Sequence, residues 1–282
     1  MARLAAILGK DTRQPSATRQ NNPFGEIYDL FKLSRFVAIG DDYLSSAAPG
    51  FVSELVSRKE SPITHLAIEL PACMQQGSGL AITDSLINDV GNIYPGMNGA
   101  MASILQSAKA SGISAIFFYM RNAFEEDTDS GARMAALIHS SSEGEGSRVL
   151  VYCGIRHAGL ERRTRHPQMP IWKMSMEQPL VSHLSRMEGR TVPSLIMITD
   201  FQRQSHSPKS PIEWLFRRSG SAAEIPAPEI KAPLLSIRRT EITEPHPAGD
   251  RKHSYSGAVY VPEAFSLPRS REGLNAIRRT QA

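Results

Sequence analysis

The sequence predicts an α/β domain with a mainly parallel central sheet and helices on both faces. Three observations predict it. Short, nearly continuous apolar runs rich in β-branched residues recur along the chain, the pattern of strands buried on both sides. Stretches with helical apolar spacing separate them, so strands and helices alternate. The chain has 282 residues with 41% hydrophobic and 21% charged content, enough apolar material for one sizeable core.

The elements follow in order. Residues 35–40, RFVAIG, form the first strand, and 48–59 a helix with Phe51, Val52, Leu55 and Val56 on one face. Residues 64–70, THLAIEL, form the second strand, stopped by Pro71. Two helices are expected over 79–91 and 99–112, the latter closed by Gly112. ISAIFFYM (113–120) is the third strand, 128–140 a helix, and SRVLVYCG (147–154) the fourth strand. A helix over 176–189 ends at Gly189, and PSLIMITD (193–200) is the fifth strand. Residues 201–250 turn rich in Ser, Pro, Glu and Arg and read as a long loop or partly disordered insertion, before a last strand over 255–265. Residues 1–24 are expected to be disordered, 25–265 to form a single domain, and 266–282 to be a flexible basic tail.

Composition narrows the classes. No apolar run approaches the roughly 18–20 residues a membrane span needs. The two cysteines, Cys73 and Cys153, lie beside apolar runs and do not suggest a disulfide framework. Residues 1–160 carry 13 Lys/Arg against 16 Asp/Glu (−3) and residues 161–282 carry 19 against 12 (+7), which sum to the net +4. The basic surplus sits in LERRTRH, FRRSGS, SIRRTE and AIRRTQA without interleaved aromatics, so solvated loops are expected rather than a nucleic-acid surface. The first 23 residues are rich in Ser, Thr, Gln, Asn and Arg with one acid, Asp11; an export address and an ordinary frayed terminus both stay open.

In a parallel sheet the site lies beyond the carboxyl ends of the strands, and this rule selects the candidates. Asp41, Asp42 and Tyr43 follow the first strand, Glu69 ends the second, Tyr119 and Arg121 close the third, and Arg156 and His157 follow the fourth. Carboxylates facing a histidine and an arginine can orient a general base and stabilise developing negative charge. Asp41, Glu69 and His157 are expected in one cleft. Each has a plainer alternative: Asp41 or Asp42 could cap the next helix, Glu69 could be a buried ion-pair member, and His157 and Arg121 could be solvated. His65 sits at the amino end of its strand, and His139, His183 and His206 read as solvated. No HExxH, P-loop or GxSxG motif occurs.

The ordered segments VAIGDDY, THLAIELP, ISAIFFYMRN, DSGARMAALI, SRVLVYCGIRHAG and YSGAVYVPEAF resemble the erythromycin-esterase/ChaN-like superfamily, which includes Tiki-type and TraB-type proteins. The match runs over about residues 25–160 plus the strand at 257–262. The resemblance implies that Asp41 and Glu69 match the family carboxylates, Arg133 the helix arginine and His157 the last histidine. Tyr43 stands where the family has its first histidine, the base implied to activate water. It implies an esterase-type hydrolase with no required cofactor, in which His157 activates water, Asp41 and Glu69 orient it, Arg121 or Arg156 meets the oxyanion, and Arg133 and Tyr119 help hold the substrate. The ChaN branch implies an alternative, haem or metal binding through Tyr43 and His157, and a degenerate site implies a non-catalytic interaction protein. The Ser/Arg-rich start and the Pro/Ser-rich insertion resemble bacterial type III effectors, which implies delivery into a host cell by a non-Sec route; cytoplasmic residence is the alternative. The resemblance leaves the substrate, the host target and the oligomeric state open.

Overall fold

The computed structural model describes residues 22–43, 45–71, 81–93, 98–119, 130–164, 178–199, 232–237, 239–244 and 251–265. Among them, β1 (Phe36–Asp41), β2 (His65–Pro71), β3 (Ser114–Tyr119), β4 (Val149–Gly154), β6 (Ser194–Thr199), β10 (Gly257–Val261) and β7 (Leu234–Ser236) form one sheet in the order β3-β2-β4-β1-β6-β10-β7. All neighbours are parallel except the β10–β7 pair, which is antiparallel. The β1, β6 and β10 strands are buried at every position, which accounts for their uninterrupted apolar sequences.

Alternation along each strand divides the core into two layers. Val37, Ile39, Leu66, Ile68, Leu150 and Tyr152 face the layer packed by α1 (Pro23–Leu30), α2 (Ala47–Ser57), α3 (Asp84–Ile93) and α4 (Asn98–Ala110). Phe36, Ala38, Ala67, Val151 and Cys153 face the layer packed by α5 (Ser130–Ser141), α6 (Ile155–Ala158) and α7 (Leu180–Met187). Adjacent strands β1 and β4 are therefore followed by connections on opposite faces, and such a divergence opens a crevice at the carboxyl ends.

The predicted strands and helices appear within a few residues of their expected places, with α3 starting at Asp84 and α7 at Leu180. Gly112 and Gly189 take left-handed φ of +69° and +63° just past their helices, the conformation that closes a helix end. Three expectations fail. The 201–250 stretch is not all loop, because it contains β7 and β8 (Thr240–Glu244). The last strand is two: β9 (Arg251–Tyr255) turns at Ser256 into β10. The basic LERRTRH segment carries β5 (Glu161–Thr164), which joins β9 and β8 in an antiparallel sheet of its own. The first helix, with Pro23 in its first turn and Asn22 Oδ1 accepting from Gly25 N at 3.1 Å, was not anticipated from the sequence pattern. Among the described residues no helix is long and apolar enough to cross a membrane.

Candidate functional site

β1 leaves the sheet through Asp41, Asp42 and Tyr43. Neither aspartate opens the following helix. Ser46 is the N-cap of α2, and Ser45 Oγ accepts from Ala47 N at 3.1 Å, so the helix-cap alternative fails. Asp41 is fully buried. Its Oδ2 accepts a hydrogen bond from the Tyr152 hydroxyl at 2.5 Å, because Tyr152 lies in β4 opposite Ile39 and faces the same layer. Its Oδ1 is buried with no hydrogen-bond partner among the described residues. Burial pushes the Asp41 carboxyl up to about 7; the Tyr152 hydrogen bond opposes this, nearby Asp42 adds to it, and the backbone N–H groups of Tyr43 and Asp42 ease it.

Tyr43 has φ +61°, a left-handed conformation that costs a bulky residue on the order of 1 kcal/mol or more. The kink turns its ring edge-on to Tyr152, with centroids 5.8 Å apart and planes at 88°. Its hydroxyl donates to Glu69 Oε2 at 3.0 Å. Burial and then the Glu69 charge raise the Tyr43 phenol well above its ordinary value, so it stays a proton donor.

Glu69 is the hub. Oε2 also accepts from the Gly154 backbone N–H at 2.6 Å, and Oε1 faces His157 Nε2 at 3.4 Å. The register places this carboxylate. Ile68 pairs with Tyr152, so the next residue of β2 stands beside Cys153 and the exit of β4. His157 comes from α6, one turn after β4. That turn is pinned from below: Tyr255 OH donates to Ile155 O at 2.8 Å and Ser194 Oγ donates to Ala158 O. Gly40 allows the approach, since a Cβ there would lie 2.7 Å from Ala158 Cβ. The His157 side chain is 29% exposed and that of Glu69 14%, so the pair meets solvent at one side.

The predicted residues thus divide. Asp41, Tyr43, Glu69 and His157 come together, but as two linked pairs. Asp41 accepts from Tyr152 while Glu69 faces His157 at 3.4 Å, and Tyr43 touches both pairs. Asp42 is half-buried beside Asp41, Tyr119 is half-buried at the end of β3 opposite Pro71, and Arg156 is exposed on α6 next to His157. Arg133 is exposed on the first turn of α5, and Arg121 lies outside the described residues. His139 is half-buried 3.5 Å from Glu188, a contact not expected of a solvated side chain. His183 is also half-buried, in α7, and His206 lies outside the described residues. Sequence reasoning missed Tyr152 and the Gly154 N–H. A tyrosine inside VLVYC carried a signal, since a buried hydroxyl needs a partner. Cys153 is buried, and burial followed by the Glu69 charge pushes its thiol well up, which leaves it inert as a nucleophile. Among the described residues no group of three or more His, Cys, Asp or Glu is placed to hold a metal ion.

No family model matches the sequence, and no curated protein sequence matches it. Among solved structures the chain is similar to the type III effector HopBA1, at 17% identity and a TM-score of 0.42, over 67% of this chain and 86% of that one. It is also similar to a chain of Pasteurella multocida toxin, described as having a thiol-protease like catalytic triad in its C-terminal region. That likeness has 17% identity and a TM-score of 0.41 over 69% of this chain and 27% of that one. Likenesses this weak carry no argument about the site, which stands on its own geometry.

Proposed function

We propose that the chain is an esterase-type hydrolase of the erythromycin-esterase/ChaN-like kind, with Glu69 and His157 as its working pair, deployed as an exported effector. One observation carries the catalytic reading. Glu69 reaches His157 at 3.4 Å at the carboxyl rim of the sheet while Gly154 N–H and Tyr43 OH hold its other oxygen. A carboxylate fixed by two donors is suited to orienting an imidazole rather than to attacking a substrate.

In this reading Glu69 Oε1 holds Nε2 of His157, and Nδ1 takes a proton from water as the water oxygen bonds to the ester carbonyl carbon. The tetrahedral oxyanion is met by the positive charge of Arg156. The carbon–alkoxide bond then breaks and the proton on Nδ1 passes to the leaving alkoxide, giving acid and alcohol. The effector part rests on the composition of the first 23 residues, polar and with a single acid.

The haem alternative fits this site poorly. A phenolate ligand must lose its proton, whereas the Tyr43 hydroxyl is spent on Glu69 and its proton is held more tightly than usual. The test is hydrolysis of p-nitrophenyl acetate and longer acyl esters by the purified chain, with Glu69→Gln and His157→Asn beside it. Either variant should lose on the order of 10²–10⁴ in rate with its thermal midpoint retained. Stable variants with wild-type rates would defeat the catalytic reading and leave an interaction protein.

A further inference from the structure

Tyr152, which the proposed reaction does not use, touches the turn that carries Tyr43 into the site. It touches both ends of the same three-residue turn. Its hydroxyl binds Asp41 at 2.5 Å, where the chain is still a strand, and its ring meets Tyr43 edge-on at 5.8 Å, where φ has become +61°. A tyrosine in a left-handed conformation persists only where its surroundings over-determine it. Here one fully buried side chain contacts both the start of the turn and the ring at its end. Strand β4 carries this clamp two residues before the Gly154 N–H that grips Glu69, and five before His157.

Resting on the hydrolase reading above, we propose that Tyr152 is a positioning residue, which sets Glu69 and His157 by holding Tyr43 in its left-handed turn. Among the described residues, Tyr43 reaches into the site through its hydroxyl on Glu69 Oε2. The edge-on ring contact sets where that hydroxyl points, and the bond to Asp41 sets where the Tyr152 ring stands. Loss of the Tyr152 hydroxyl frees the turn, lets Tyr43 leave the left-handed region, and removes one of the two donors from Glu69 Oε2. His157 then faces a carboxylate held by Gly154 N–H alone on that side.

The test reads His157 directly and needs no substrate. The full chain is treated with diethyl pyrocarbonate at pH 6 and pH 8, and the carbethoxylation rate of each histidine is followed by peptide mass spectrometry. His65 and His139 serve as internal controls away from the site. Tyr152→Phe keeps the ring and removes the hydroxyl; Tyr43→Phe removes the donor to Glu69. The expected result is a change at His157 of about threefold or more in both variants, in the same direction. The double variant should go no further than the larger single change, the non-additivity of residues on one path. The His65 and His139 rates should not move. If Tyr152→Phe does not melt cooperatively, Asp41→Asn/Tyr152→Phe replaces it, since an amide leaves no charge stranded. A wild-type His157 rate in either variant, or additive effects, overturns the proposal. Failure of the hydrolase reading shows separately, as absence of Glu69-dependent ester hydrolysis, and does not alter the His157 rates.

Discussion

A single buried carboxyl gives the sharpest residue-scale expectation. Asp41 titrates near 7 in the folded chain because burial disfavours its charge, whereas an unfolded aspartate titrates near 3.8. The folded state therefore binds the proton more tightly. Its contribution is fully present below about pH 4 and is lost as pH rises through about 7. Asp41→Asn cannot ionise and still offers Tyr152 an acceptor. Wild-type stability minus variant stability should fall between pH 4 and pH 8, by on the order of 1–4 kcal/mol, as read from urea unfolding at each pH. A difference that is flat or rises with pH defeats the buried-acid assignment. Asp41, Tyr43, Glu69 and His157 could be found from sequence because each ends or follows an apolar run. Tyr152 could not be assigned a partner, since its bond to Asp41 spans 111 positions and depends on strand register, which no local pattern encodes.

At the scale of elements, legibility follows burial. The central strands of the large sheet read clearly because both their faces are covered and their middle positions are apolar. The small sheet was unreadable because ERRT, TEITE and RKHSY are short and polar, close to loop composition. Helix α6 is four residues long, too short for any periodicity to register, yet it delivers His157. Its position follows from Gly40, where an added Cβ would stand 2.7 Å from Ala158 Cβ and 3.3 Å from Ile155 Cα. Gly40→Ala should push α6 off β1 and cost about 1–3 kcal/mol in denaturant unfolding, the usual scale of overpacking. It should also change the diethyl pyrocarbonate reactivity of His157. A Gly40→Ala chain of wild-type stability and unchanged His157 would show that α6 is held by Tyr255 and Ser194 alone.

The whole molecule decides which ligands the site can take. The two apolar layers meet the rim at β1 and β4, where Tyr43 links the Asp41–Tyr152 pair to the Glu69–His157 pair. Haem needs a ligand free to ionise, whereas the Tyr43 and Tyr152 hydroxyls at this rim are already donated to Glu69 and Asp41. Iron ligation by Tyr43 would break its bond to Glu69 and place a phenolate beside an acidic side chain, against the raised affinity of Tyr43 for its proton. Hemin titrated into the purified chain should therefore give no saturable Soret shift. The control is Tyr43→Phe, which keeps the ring contact with Tyr152. A saturable shift in the wild-type chain that disappears in Tyr43→Phe would mean the network opens for a cofactor, and the haem-carrier reading would replace the hydrolase. A shift of equal size in both chains would report hemin adsorbed elsewhere on the surface and leave Tyr43 in its place as a donor to Glu69.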